Sequence, residues 1–250
     1  MNRIVTLCLT LTIAGVFFAI LYLIPYFSKK KLHKGKFDIL QFINLFFSPL
    51  LIIPIFYFFK QIIDSNPYTS TITFPKHVSE LIFLILLYFL ILGNGIHAVS
   101  VVLSKHMKSL REHRIWKTNE FFHQEFSHFL MTASAVLILF SFTIYEVNRP
   151  SLVLLTYVEI AILIISGFVT GLILGLASIE GRIPQTMFYL LCALSLILPF
   201  LFIRFNLNYR QFPFTTFVET MFISAVIMIS FYKYKKEGFP EIVPHHFFDD

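Results

Sequence analysis

Four residues capable of chemistry sit where polar side chains are costly. Asn94 and His97 lie in GNGIHAVS, residues 93–100, which follows the apolar run SELIFLILLYFLIL. Glu125 and His128 lie in FFHQEFSHFL, residues 121–130, which opens FLMTASAVLILFSF. Imidazole suits zinc, iron, copper and nickel, and a carboxylate completes a ligand set that leaves one position open. Glu125 and His128 form a Glu-x-x-His element, which places both on one side of a helix. Di-iron bundles use that element twice with two further Glu, whereas it occurs once here. The supply therefore fits one divalent ion, zinc or iron, held by His97, His128 and Glu125, with Glu159 as a further ligand. Such an ion brings a bound water to a pKa of about 7. Glu125 is then a ligand or the general base, and Asn94 the second catalytic residue, orienting the scissile group. Asn44, Ser100, Thr132 and Glu180 form the supporting polar shell.

The same residues admit other chemistry. Two His at matched depth on adjacent antiparallel helices can ligate a b-type haem, and Gly93 and Gly95 lie beside His97. Against this, Glu125 lies one turn from an axial ligand, where haem has no use for a carboxylate. His, Glu and Asn along a cavity also serve as relays in a transporter or proton-coupled carrier, or line a receptor-like membrane protein. Transporters usually carry internal repeats, and none is visible. The plainest alternative is glue, with His97 and His128 hydrogen-bonding across helices at about 1 kcal/mol each.

The elements that must position these residues follow from composition. The chain has 250 residues, 57% hydrophobic and 14% charged; soluble domains carry roughly a quarter charged residues. Its apolar runs are long enough to cross roughly 30 Å of hydrocarbon at about 1.5 Å per residue. The alternating pattern of a membrane β-barrel is missing. The expectation is an all-α, multi-pass membrane protein with seven spans at 4–27, 38–63, 79–103, 121–146, 151–178, 184–204 and 213–233. Residues 1–236 form one membrane domain and 237–250 a short tail. Cys8 and Cys192 fall inside spans and read as small apolar residues.

Lys and Arg set the orientation. With seven spans, the first, third and fifth links share a side with the C-terminus. That side holds fourteen of the 20 basic residues, including Lys29–Lys31, Lys105, Lys108, Arg111, Arg114, Lys117 and Arg182, and the other side six. The excess marks the cytoplasmic side, so the N-terminus lies outside. The net charge of +6 thus reflects topology and attraction to anionic headgroups. No folded domain presents it to nucleic acid. A bacterial inner membrane or a eukaryotic endomembrane fits this pattern.

Within this frame His97 lies roughly 9 Å, and His128 about 11 Å, from the cytoplasmic ends of their spans. Gln41, Asn44 and Ser48 in the second span, and Thr170, Ser178 and Glu180 in the fifth, approach the same level. His123 precedes His128 by five residues, which turns it off that face and marks it as an interfacial residue. Glu159 shares a face with Ser166 and Thr170 and reads as pointing down toward the same cavity. Gly167, Gly171 and Gly175 form a small-xxx-small ridge for close helix approach. Pro49, Pro54 and Pro199 kink or open their helices.

Seven spans, an outward N-terminus and a cytoplasm-facing His site resemble the alkaline ceramidase and adiponectin-receptor group of membrane hydrolases. That group has a His-x-x-x-His pair in its last span. Residues 213–233 contain no His, and His245 and His246 lie in the tail, so membership is not assigned. The expected activity comes from the residues instead. No soluble domain exists to capture a polar substrate, and Lys-rich links flank the cavity. The expectation is a metal-dependent, hydrolase-type reaction on a membrane lipid or lipid-like substrate.

Overall fold

The computed structural model describes residues 2–23, 31–32, 37–38, 48–69, 71–72 and 76–237. Apart from a two-residue ladder pairing Lys31 with Asp38 and Leu32 with Phe37, the regular elements are helical. They are α1 (Arg3–Leu23), α2 (Ser48–Asp64), α3 (Lys76–His106), α4 (Arg114–Val147), α5 (Tyr157–Glu180), α6 (Pro184–Arg204) and α7 (Pro213–Glu237). α3 to α7 each contain a stretch long and apolar enough to cross a membrane, and Arg3–Phe17 of α1 is a shorter apolar segment.

Local sequence explains the boundaries. Pro184 and Pro213 open α6 and α7, where the missing N–H is harmless and φ is already helical. Thr156 opens α5 through a capping box: its hydroxyl accepts from the Glu159 backbone N–H, and the Glu159 carboxylate accepts from the Thr156 backbone N–H. The fifth helix therefore starts at Tyr157, not at 151. Ser151 and Leu155 instead hydrogen-bond, through their backbone N–H groups, to the carbonyls of Gln211 and Arg210 in the α6–α7 link. α2 is described from Ser48 onward, and the earlier part of the predicted second span, with Gln41 and Asn44, lies outside the described residues. α4 starts at Arg114, about two turns before the apolar run predicted to open it.

The glycine ridge packs as its spacing predicts. A Cβ on Gly171 would overlap Ser224 Oγ and the Met221 carbonyl, and one on Gly167 would strike the Phe217 carbonyl. α5 and α7 thus meet backbone to side chain along Gly167, Gly171 and Gly175. On another side of α5, Thr12 of α1 hydrogen-bonds Thr170 Oγ1 at 2.9 Å and the Ser166 carbonyl at 3.3 Å. The core between these helices is filled by Phe59, Ile138, Leu163, Met187, Leu191, Phe214 and Phe217, all buried.

The links sort onto two ends. At one end Asn2 meets Glu159 and Ser151, Arg149 meets Asp64 and Asn66, and Asn148 meets Ile72. The N-terminus and the α2–α3, α4–α5 and α6–α7 links therefore gather together. The α3–α4 hairpin, with Lys105, Lys108, Arg111, Arg114 and Lys117, and the α5–α6 turn, with Arg182, form the other end.

Candidate functional site

The site is built by α3, α4 and the α5–α6 turn. α4 is α-helical from Arg114 to Phe121, makes a π-turn over Phe122–Phe126 and resumes as an α-helix from Ser127. In a regular α-helix two residues five apart point about 140° from one another. A π-turn, closed by i→i+5 bonds, brings such residues back close to one face. His123 and His128 are spaced in that way across the turn, and both reach His97 of α3. The His97 and His128 rings meet edge to face with centroids 4.7 Å apart, and those of His97 and His123 lie 5.0 Å apart. This corrects the expectation that His123 turns away.

Hydroxyls and one carboxylate organise the cluster. Ser127 Oγ donates to the His123 carbonyl at 2.7 Å and lies 3.4 Å from His97 Nδ1. A hydroxyl has a single proton. With that proton on the carbonyl, Ser127 accepts from His97 Nδ1–H over a long contact, and the His97 lone pair is left on Nε2. His123 Nδ1 lies 3.7 Å from Glu120 Oε1. Glu120 in turn accepts from Ser104 Oγ at 2.6 Å, and the buried Asn119 donates to Ser104 Oγ at 2.8 Å and to the Ser100 carbonyl at 3.1 Å. Nothing in the sequence alone singles out Asn119, Glu120 or Ser127. Ser100 and Ser104 lie four apart on α3, but only the contact with α4 shows what they hold.

The α5–α6 turn closes the third side. A Cβ on Gly181 would lie 2.9 Å from His128 Cβ and Cγ, so this turn rests directly on the imidazole. The cluster is therefore level with the end of α5, while α3 and the first turns of α4 project past it. Gly93 provides the matching close approach between α3 and α4, where a Cβ would come within 2.9 Å of Leu130 Cβ and the Met131 nitrogen.

The other predicted site residues divide. Asn94 lies one turn from His97 and is half-buried, as are Glu125 and Thr132. Glu125 makes no side-chain hydrogen bond or ion pair among the described residues. Ser100 is buried, and Glu180 is exposed beside Gly181. Asn44 lies outside the described residues. Glu159 is not brought to the histidines: it occupies the first turn of α5, where its carboxylate accepts from Thr156 and, at 2.7 Å, from the Asn2 backbone N–H. About 33 Å of helix separates it from Gly181. Among the described residues no group of three or more His, Cys, Asp or Glu is arranged to hold a metal ion; the rings of the cluster pack against one another.

Fold and site together describe a helical, membrane-type protein with a histidine cluster at one end. No known protein family, characterised protein or solved structure matches the chain.

Proposed function

We propose that the histidine cluster is the working site of a metal-dependent membrane enzyme, with His97, His123 and His128 as the ligands of one ion. The observation that carries this reading is the gathering of three imidazoles, with His97 within 5.0 Å of both partners, ring to ring. Two imidazoles on one ion, each with its nitrogen about 2 Å away, have ring centroids roughly 5 Å apart. The present spacing is thus near that of a loaded pair, and a shared ion requires rotation about side-chain torsions rather than movement of α3 and α4. A haem is less well served, since axial imidazoles on opposite sides of the iron stand more than about 6 Å apart between centroids. Glu125, half-buried in the π-turn, is the general base for a metal-bound water, and Asn94 orients the substrate. A lipid or lipid-like substrate enters from the headgroup layer beside the basic α3–α4 hairpin.

A second reading has its own observation. Glu120 Oε1 stands 3.7 Å from His123 Nδ1, and the rings continue from there to His97 and His128. That is a chain of titratable groups suited to proton transfer, and it needs no ion. Metal analysis of the purified protein, with His97→Gln and His128→Gln beside the wild type, separates the two. Stoichiometric zinc or iron in the wild type, lost in both variants while the helical CD spectrum persists, supports the enzyme. A wild type that binds no metal after loading overturns it in favour of the relay.

A further inference from the structure

The α5–α6 turn carries two separate demands. α5 ends with the Ile183 N–H bonded to the Ser178 carbonyl at 3.0 Å, which closes the turn around Arg182. Arg182 has φ 55°, the left-handed conformation that glycine usually supplies at this position. The neighbouring residue is a glycine, but one position too early to serve. It stands at 181 because any Cβ there would strike His128. Packing onto the cluster therefore claims the glycine, and an arginine adopts a left-handed conformation that is unfavourable for a residue with a Cβ. Glycine at both positions would satisfy the backbone at lower cost, so the side chain at 182 has a use that offsets the strain.

That use is visible in the surroundings. Arg182 is exposed, and its guanidinium makes no hydrogen bond or ion pair among the described residues. It stands close enough to His123 to interact with it electrostatically. Among the carboxylates around the cluster, Glu120 is engaged by Ser104. At the mouth of the site there is thus, among the described residues, one unpartnered, planar, permanently charged donor group beside the imidazole cluster, suited to the oxygens of a phosphate.

We propose that Arg182 is an anion-binding residue that holds the phosphate group of a ligand at the mouth of the histidine cluster. This deepens the reading of the cluster as the working site but does not depend on a metal. The phosphate belongs either to a membrane lipid headgroup or to a free phosphate, and the geometry suits both.

The test uses the full chain purified in detergent with EDTA present. Dioctanoyl phosphatidic acid, dioctanoyl phosphatidylcholine and inorganic phosphate are titrated by calorimetry, and thermal unfolding is followed in parallel. Wild type is expected to bind the phosphatidic acid. Arg182→Gly is expected to bind it at least tenfold more weakly while unfolding at a higher temperature without ligand, because the strain is relieved. Arg182→Asn, which tolerates the same φ without the charge, should lose binding in the same way. Binding of phosphatidic acid but not inorganic phosphate assigns the lipid headgroup; equal binding of both assigns the free anion. Wild-type affinity in either variant, or no binding of any probe to wild type, overturns the proposal. Because metal is removed throughout, loss of the metal reading leaves these outcomes unchanged.

Discussion

The two ends of this protein use polar residues in opposite ways. At the end holding the N-terminus, charged groups are fastened. Glu146 is fully buried and accepts from the backbone N–H groups of Phe214 and Thr215 at 3.0 and 2.8 Å and from Thr215 Oγ1 at 2.8 Å. These are first-turn donors of α7, which have no partner within their own helix, and a carboxylate there also meets the positive end of the helix dipole. Asp64 accepts from Lys60 at 2.7 Å and from the Tyr145 hydroxyl, with Arg149 Nε 3.3 Å away. At the other end imidazoles lean on one another, Arg182 is strained, and neither Glu125 nor the Arg182 guanidinium has a hydrogen-bond or ion-pair partner among the described residues. An ionisable residue within an apolar helix suggests function by default. The contrast shows that the sharper criterion is whether its hydrogen-bonding capacity is already used inside the fold.

The comparison predicts where mutations act on stability and where they act on the site. The largest loss of stability is expected at Glu146. Glu146→Ala leaves two buried N–H groups and a hydroxyl without their acceptor, a loss of about 3 kcal/mol or more. Glu146→Gln keeps one acceptor and should recover part of it. Thermal unfolding in detergent measures both, and any metal or phosphate binding at the histidines should be unchanged. A Glu146→Ala protein of wild-type stability would remove the distinction between the ends.

A smaller and pH-dependent effect is expected at Asp64. Burial alone raises its carboxyl, but the hydrogen bonds from Lys60 and Tyr145 and the charges of Lys60 and Arg149 outweigh burial and hold it below its usual value. A carboxyl lower in the folded than in the unfolded chain adds stability above its unfolded pKa, about 4. That contribution is lost as pH falls through the lower, folded value. Asp64→Asn should therefore be less stable than wild type at neutral pH, and the gap should close on acidification below about pH 4. A gap independent of pH would show that the Asp64 cluster is held by shape rather than charge.

How far the sequence reaches can be judged from single residues. The helices of α3, α6 and α7 follow from run length, and the close approach of another helix to α5 follows from three glycines at spacings of four, while the identity of that helix, α7, shows only in the fold. Run length alone misplaces Glu159 because SLVLL continues the apolar run, although Thr156-x-x-Glu159 is a capping-box signal. His123 is misplaced for a different reason. The π-turn breaks the 3.6-residue period on which face assignments rest, and no residue in FHQEF announces it. Glu146 is the last residue of the predicted fourth span, and nothing near it in sequence reveals its role, since its partners are backbone groups of α7, far along the chain. Arg182 shows only as one more basic residue until its φ is known.

The smallest effect on stability is expected at Glu125, and there the comparison is sharpest. Its carboxylate is half-buried and makes no hydrogen bond or ion pair with the described residues, so no internal contact is lost when its charge is removed. Glu125→Gln keeps the volume and should change unfolding by no more than about 0.5 kcal/mol, as for a substitution away from structural contacts. If Glu125 is the base for a metal-bound water, the variant keeps its metal and loses turnover, since an amide cannot accept the proton. If it is a ligand, metal affinity falls as well. Unfolding temperature and metal content, measured on one preparation, distinguish these outcomes. A large destabilisation with metal retained would place Glu125 among the fastened residues and move the boundary between the two ends.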